Sequence, residues 1–68
     1  MEYKIECEQE EDGRWLAEIP QIPGVFAYGS SPDEAMTRAE ILALRVLAEQ
    51  LEQGEAKPQP IHIGFAAA

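Results

Sequence analysis

Alternation opens the chain. Tyr3, Ile5 and Cys7 fall on one side of a period of two and Lys4 and Glu6 on the other, which predicts a half-buried strand over residues 3–7. Glu10-Glu11-Asp12-Gly13 interrupts it, and Asp-Gly between alternating segments predicts a tight hairpin. The second strand spans Arg14 to Ile19, with Trp15, Ala17 and Ile19 on one face and Arg14, Leu16 and Glu18 on the other. Pro20-Gln21-Ile22-Pro23-Gly24 cannot lie inside a paired ladder, because proline lacks the donor, so the chain turns there. Val25 to Tyr28 reads as a third strand returning antiparallel to the second, and Gly29 ends it.

The period then changes. Ser31 suits a helix N-cap, Pro32 the first helical position, and Glu34 completes a capping box with Ser31. The helix is expected to run to about Gln53, with Gly54 as its stop. Glu55 to Pro60 is a linker, and Ile61-His62-Ile63-Gly64-Phe65 alternates as a fourth strand before three alanines. The expected fold class is α+β, a single domain over residues 1–68 ordered β-β-β-α-β. It is a four-stranded, mainly antiparallel sheet with one long helix packed on one face.

Spaced 100° apart, the helix positions separate into two apolar groups. Ala35, Met36, Ala39, Leu42, Ala43, Val46 and Leu47 form a broad face expected to meet the sheet. Ile41, Leu44, Ala48 and Leu51 form a second stripe, with Arg38, Arg45 and Glu52 between the groups on one flank. One sheet covers one side of a helix, so the second stripe is expected to be an oligomer interface, as dimer or tetramer.

Charge narrows the partners. Thirteen acidic residues against five basic ones give a net charge of −8. Lys4, Arg14, Arg38, Arg45 and Lys57 are scattered, without the cation cluster that counterion release on nucleic acid requires. No direct nucleic-acid binding is expected, and a basic partner is favoured. Glu6, Glu8 and Glu18 lie on outward strand faces and form the candidate partner-binding acidic face.

The candidate chemistry is sparse. Cys7 is the only cysteine and His62 the only histidine, so neither a disulfide framework nor a zinc constellation can be written. Glu2, Glu6, Glu8 and Glu18 gather acid without a further carboxylate from the fourth strand, where His62 and Gly64 stand instead. No phosphate-cradling glycine spacing occurs. The reading is that of a non-enzyme with no catalytic, metal or cofactor residues. The acidic start differs from a signal peptide, and the apolar run Ile41 to Leu44 is far too short to span a bilayer, so the expected location is the cytoplasm.

One ordered set of residues goes further. Asp12-Gly13, Trp15, Ala17-Glu18-Ile19-Pro20, Ile22-Pro23-Gly24, Gly29, Ser31 and Asp33-Glu34-Ala35 together resemble the HicB-like antitoxin family, over roughly Tyr3 to Gly54. The resemblance implies a partial ribonuclease H-like fold and the antitoxin role in a type II toxin-antitoxin system. Its partner would be a HicA-like toxin, a small basic protein that cleaves messenger RNA and is blocked when covered. Full-length members usually carry a C-terminal DNA-binding module. This chain ends after the fourth strand, which implies a short stand-alone member without that module. The expected function is therefore a non-catalytic protein-binding module. The alternatives are a small ligand-binding or vestigial enzymatic domain using Glu6, Glu18 or His62, or a stand-alone oligomer.

Overall fold

The computed structural model describes residues 2–65, Phe65 through its backbone alone. Four strands and one helix follow in the expected order: β1 (Glu2–Gln9), β2 (Trp15–Glu18), β3 (Phe26–Gly29), α1 (Pro32–Glu52) and β4 (His62–Phe65). The sheet order is β3-β2-β1-β4. The β1–β2 and β2–β3 pairs are antiparallel, while β4 lies parallel to β1 at the far edge. The fold is α+β, with a single helix on one face of a mixed sheet.

Local chemistry explains each connection. The hairpin closes through Gly13 N–H to the Glu10 carbonyl at 3.0 Å and Glu10 N–H to the Arg14 carbonyl at 2.7 Å. That is a three-residue loop rather than the two-residue Asp-Gly turn. Asp12 Oδ1 secures it by accepting from Arg14 N–H at 3.0 Å. The proline-rich stretch is two successive turns. Ile22 N–H donates to the Ile19 carbonyl at 3.0 Å, and Val25 N–H donates to the Ile22 carbonyl at 3.2 Å. Pro23 takes the second position of the latter turn and Gly24 the third, at φ +83°, which a type II turn requires. These turns do more than reverse the chain, because they carry Ile22 and Val25 into the core.

Helix α1 starts where the sequence places it. Ser31 Oγ accepts from Glu34 N–H at 3.2 Å. The return bond of the capping box falls one residue early, with Ser30 N–H donating to Glu34 Oε1 at 2.9 Å. At the other end, Gly54 N–H reaches the Leu51 carbonyl at 3.2 Å and Glu55 N–H the Gln50 carbonyl at 2.8 Å. This is a Schellman closure.

The core comprises Tyr3, Ile5, Ala17, Ile19, Ile22, Val25, Ala35, Ala39, Ala43 and Leu47. The helix therefore meets the sheet along a single i, i+4 row, three alanines and one leucine, with Met36 and Val46 half-buried beside it. One expectation is corrected by this. Leu42 does not face the sheet but is 37% exposed, because the contact row is narrower than the apolar wheel suggested. Trp15, on the inward face with Ala17 and Ile19 as read, is half-buried and packs against the core. Methyl side chains let α1 sit close, and Gly29 is a point of close approach. A Cβ built there would lie 2.5 Å from the Ala35 nitrogen, so only glycine fits between strand end and helix start.

Candidate protein-binding face

Alternation along β1 sends Tyr3 and Ile5 inward and leaves Glu2, Lys4, Glu6 and Glu8 exposed on the face without a helix. Register turns this one-strand pattern into a surface. Glu6 stands opposite Glu18 and Glu8 opposite Leu16 across β1–β2. Leu16 in turn stands opposite Tyr28, and Glu18 opposite Phe26, across β2–β3. Two rows therefore cross the open face, Glu6-Glu18-Phe26 and Glu8-Leu16-Tyr28. All three candidate acidic residues are brought together.

Carboxylates directly opposite on neighbouring strands repel, and such pairs weaken a sheet. Neither of two ion pairs among the described residues relieves this one. They join Arg14 to Asp12 at 2.7 Å and Arg38 to Glu34 at 3.3 Å. The acidic rows end in an aromatic corner. The Phe26 and Tyr28 rings meet edge to face with centroids 6.4 Å apart, and the Arg14 guanidinium stands 4.3 Å from the Tyr28 centroid. Phe26 remains 52% exposed. Sequence reasoning placed Val25 to Tyr28 as a uniformly apolar run and so missed Phe26 and Tyr28 as surface groups. Their period of two, with Ala27 on the helix side, is the signal that could have found them.

His62 does not join this cluster. It pairs with Glu2 at the opposite end of β1, where Glu2, Lys4, His62 and Gly64 help to line a shallow depression of about 300 Å³. From Glu2 to Glu6 is four strand steps of about 3.3 Å each, too far for His62 to work with Glu6 and Glu18 on one small substrate. Among the described residues, no three His, Cys, Asp or Glu side chains converge on a metal position. Burial, and secondarily Glu8, push the Cys7 thiol above its ordinary range, so it is a poor nucleophile at neutral pH.

The helix stripe lies on the other side of the molecule. Ile41 is 43%, Leu44 52% and Leu51 42% exposed, and Ala48 is exposed between them. The stripe is not one uniform surface. Ile41 joins Leu42, Arg38, Ala27 and Tyr28 in an apolar groove of about 470 Å³ along the β3 edge, whereas Leu51 lines a cleft beneath the linker with Ile61. Among the described residues, no helix is long and apolar enough to cross a membrane. No family model, characterised protein or solved structure matches the chain.

Proposed function

We propose that this chain is a non-catalytic protein-binding module of the antitoxin kind, whose open sheet face covers a small basic protein. The observation that carries this reading is the pairing of Glu6 with Glu18 across strands, with Glu8 beside them and Phe26 at the end of the row. A partner's lysine or arginine set between the two carboxylates relieves their repulsion and gains charge-assisted hydrogen bonds. The exposed aromatic corner supplies the apolar anchor that acidic residues alone lack. A chain of net charge −8 also steers a cationic partner into encounter.

The ordered turn and cap residues that resemble the HicB-like family give the partner a chemical type. It is a HicA-like, messenger-RNA-cleaving toxin, neutralised in the cytoplasm when its basic surface is occluded.

The test is co-expression with the product of the adjacent gene, followed by affinity capture and titration calorimetry. A stoichiometric complex is expected, and Glu18→Lys should slow association by about tenfold or more while leaving the melting temperature unchanged or raised. Binding indifferent to both Glu18→Lys and salt would overturn the assignment of this face.

A further inference from the structure

Strand β3 is an outer strand, and its alternation decides which backbone groups are spare. Ile19 N–H donates to the Val25 carbonyl at 3.1 Å, so Val25, Ala27 and Gly29 turn their backbone groups toward β2. Phe26 and Tyr28 turn theirs outward. Proteins commonly guard such an edge with a lysine, a proline or a bulge. Residues 26–29 read Phe-Ala-Tyr-Gly and carry none of these. Among the described residues, Arg38 covers the edge, its Nη1 donating to the Tyr28 carbonyl at 2.9 Å and leaving that oxygen's second lone pair available.

We propose that a second copy of this chain pairs with the β3 edge in antiparallel register, with the two-fold axis at Ala27. Phe26 of one copy then stands opposite Tyr28 of the other, and each pair exchanges two backbone hydrogen bonds. The sequence is self-complementary in this register because both outward-turned residues are aromatic, and aromatic cross-strand pairs are favourable. On the helix side Ala27 meets Ala27, and these small side chains leave the groove of about 470 Å³ open for Ile41 and Leu42 of the opposite copy.

Charge and area both restrict where a second copy can pair. At a net charge of −8 two copies repel over most of their surface, and β3 is a strand without a charged side chain. A stable interface takes about 800 Å² from each partner, roughly one sixth of the 4849 Å² surface here. Four strand residues cannot provide that area alone. The flanking Phe26, Ile41 and Leu42, each between 37% and 52% exposed, extend the face on both sides of the edge. The inference shares Phe26 and Tyr28 with the basic-partner reading but not its acidic residues, which lie further in across the open face.

The test couples mass to backbone protection. Light scattering of the purified chain should give twice 7.5 kDa, and amide exchange at Phe26 and Tyr28 should slow by about tenfold or more from dilute to concentrated solution. Phe26→Pro removes an outward N–H without touching the β2 ladder, and Ile41→Lys charges the groove. Each should shift the chain to monomer while its circular dichroism is retained. A monomer at all concentrations would overturn the proposal. So would a dimer with unprotected Phe26 and Tyr28 amides, or protection of those amides only when a different protein is added.

Discussion

Replacing Gly29 by alanine tests how closely helix and sheet approach. Local preference alone favours the substitution, because glycine within a strand costs about 0.5–1 kcal/mol relative to alanine. Its backbone is not in the left-handed region, so a side chain is not barred by conformation. Packing predicts the opposite sign. The added carbon would lie 2.5 Å from the Ala35 nitrogen and 3.0 Å from both the Ala35 Cα and the Glu34 carbonyl carbon. All three are backbone atoms of the first helical turn and cannot swing aside as a side-chain tip would. Overpacking of this kind costs about 1–3 kcal/mol, and the rigidity of the neighbours puts the expectation near 3 kcal/mol. A domain of this size has roughly 3–10 kcal/mol in total, so the loss is a large share. At about 4–8 °C per kcal/mol, the melting temperature should fall by about 12–24 °C. Thermal and urea unfolding followed by circular dichroism give both quantities. Gly64→Ala is the control, since a Cβ there meets nothing within 4 Å, and it should be near neutral. If Gly29→Ala melts within about 4 °C of the parent, the close-approach account is wrong.

Two further outcomes follow from the same geometry. Trp15 is half-buried, so Trp15→Ala should cost about half the 3–5 kcal/mol of a buried aromatic, or roughly 2 kcal/mol, and lower the melting temperature by about 10 °C. A loss above about 4 kcal/mol in urea unfolding would show that the indole is enclosed. The Ser30 N–H, and secondarily Arg38, hold the Glu34 carboxyl below the usual glutamate range. A folded-state value below the unfolded one stabilises at neutral pH and is lost as pH falls through the folded value. The melting-temperature gap between the protein and Glu34→Gln should therefore be open at pH 7 and close below about pH 4. A gap unchanged down to pH 2 would remove the charge from the explanation.

Most of the fold was legible because its signals are local. The Asp12 turn, Pro23-Gly24, the Ser31 cap and the Gly54 stop each act within five residues, and each falls where the chain turns, caps or ends a helix. The helix face was only partly legible. A wheel assigns angles but not the line along which the sheet touches, and it cannot know that Ala35, Ala39 and Ala43 mark that line while Leu42 lies outside it. The candidate site was half legible. Alternation put Glu6, Glu8 and Glu18 on outward faces, but only register makes Glu6 and Glu18 neighbours and sets Phe26 at the end of their row. Register depends on hairpin loop length, and a loop of three residues rather than two is a distinction that Asp-Gly alone does not carry.

The alanine row has a consequence for how so short a chain holds one shape. Among the described residues, four of the ten in the core are alanines, Ala17, Ala35, Ala39 and Ala43. A methyl group has no rotamers to surrender, whereas a buried leucine or isoleucine gives up about 0.5–1 kcal/mol of side-chain freedom. The interior thus trades apolar area for an ordering cost that is nearly nil at those positions. It also has few alternative arrangements, since methyls cannot repack by rotating. The seam between helix and sheet behaves less like a fluid interior than like a fitted joint, with a gap fixed by atoms that cannot move independently of the backbone.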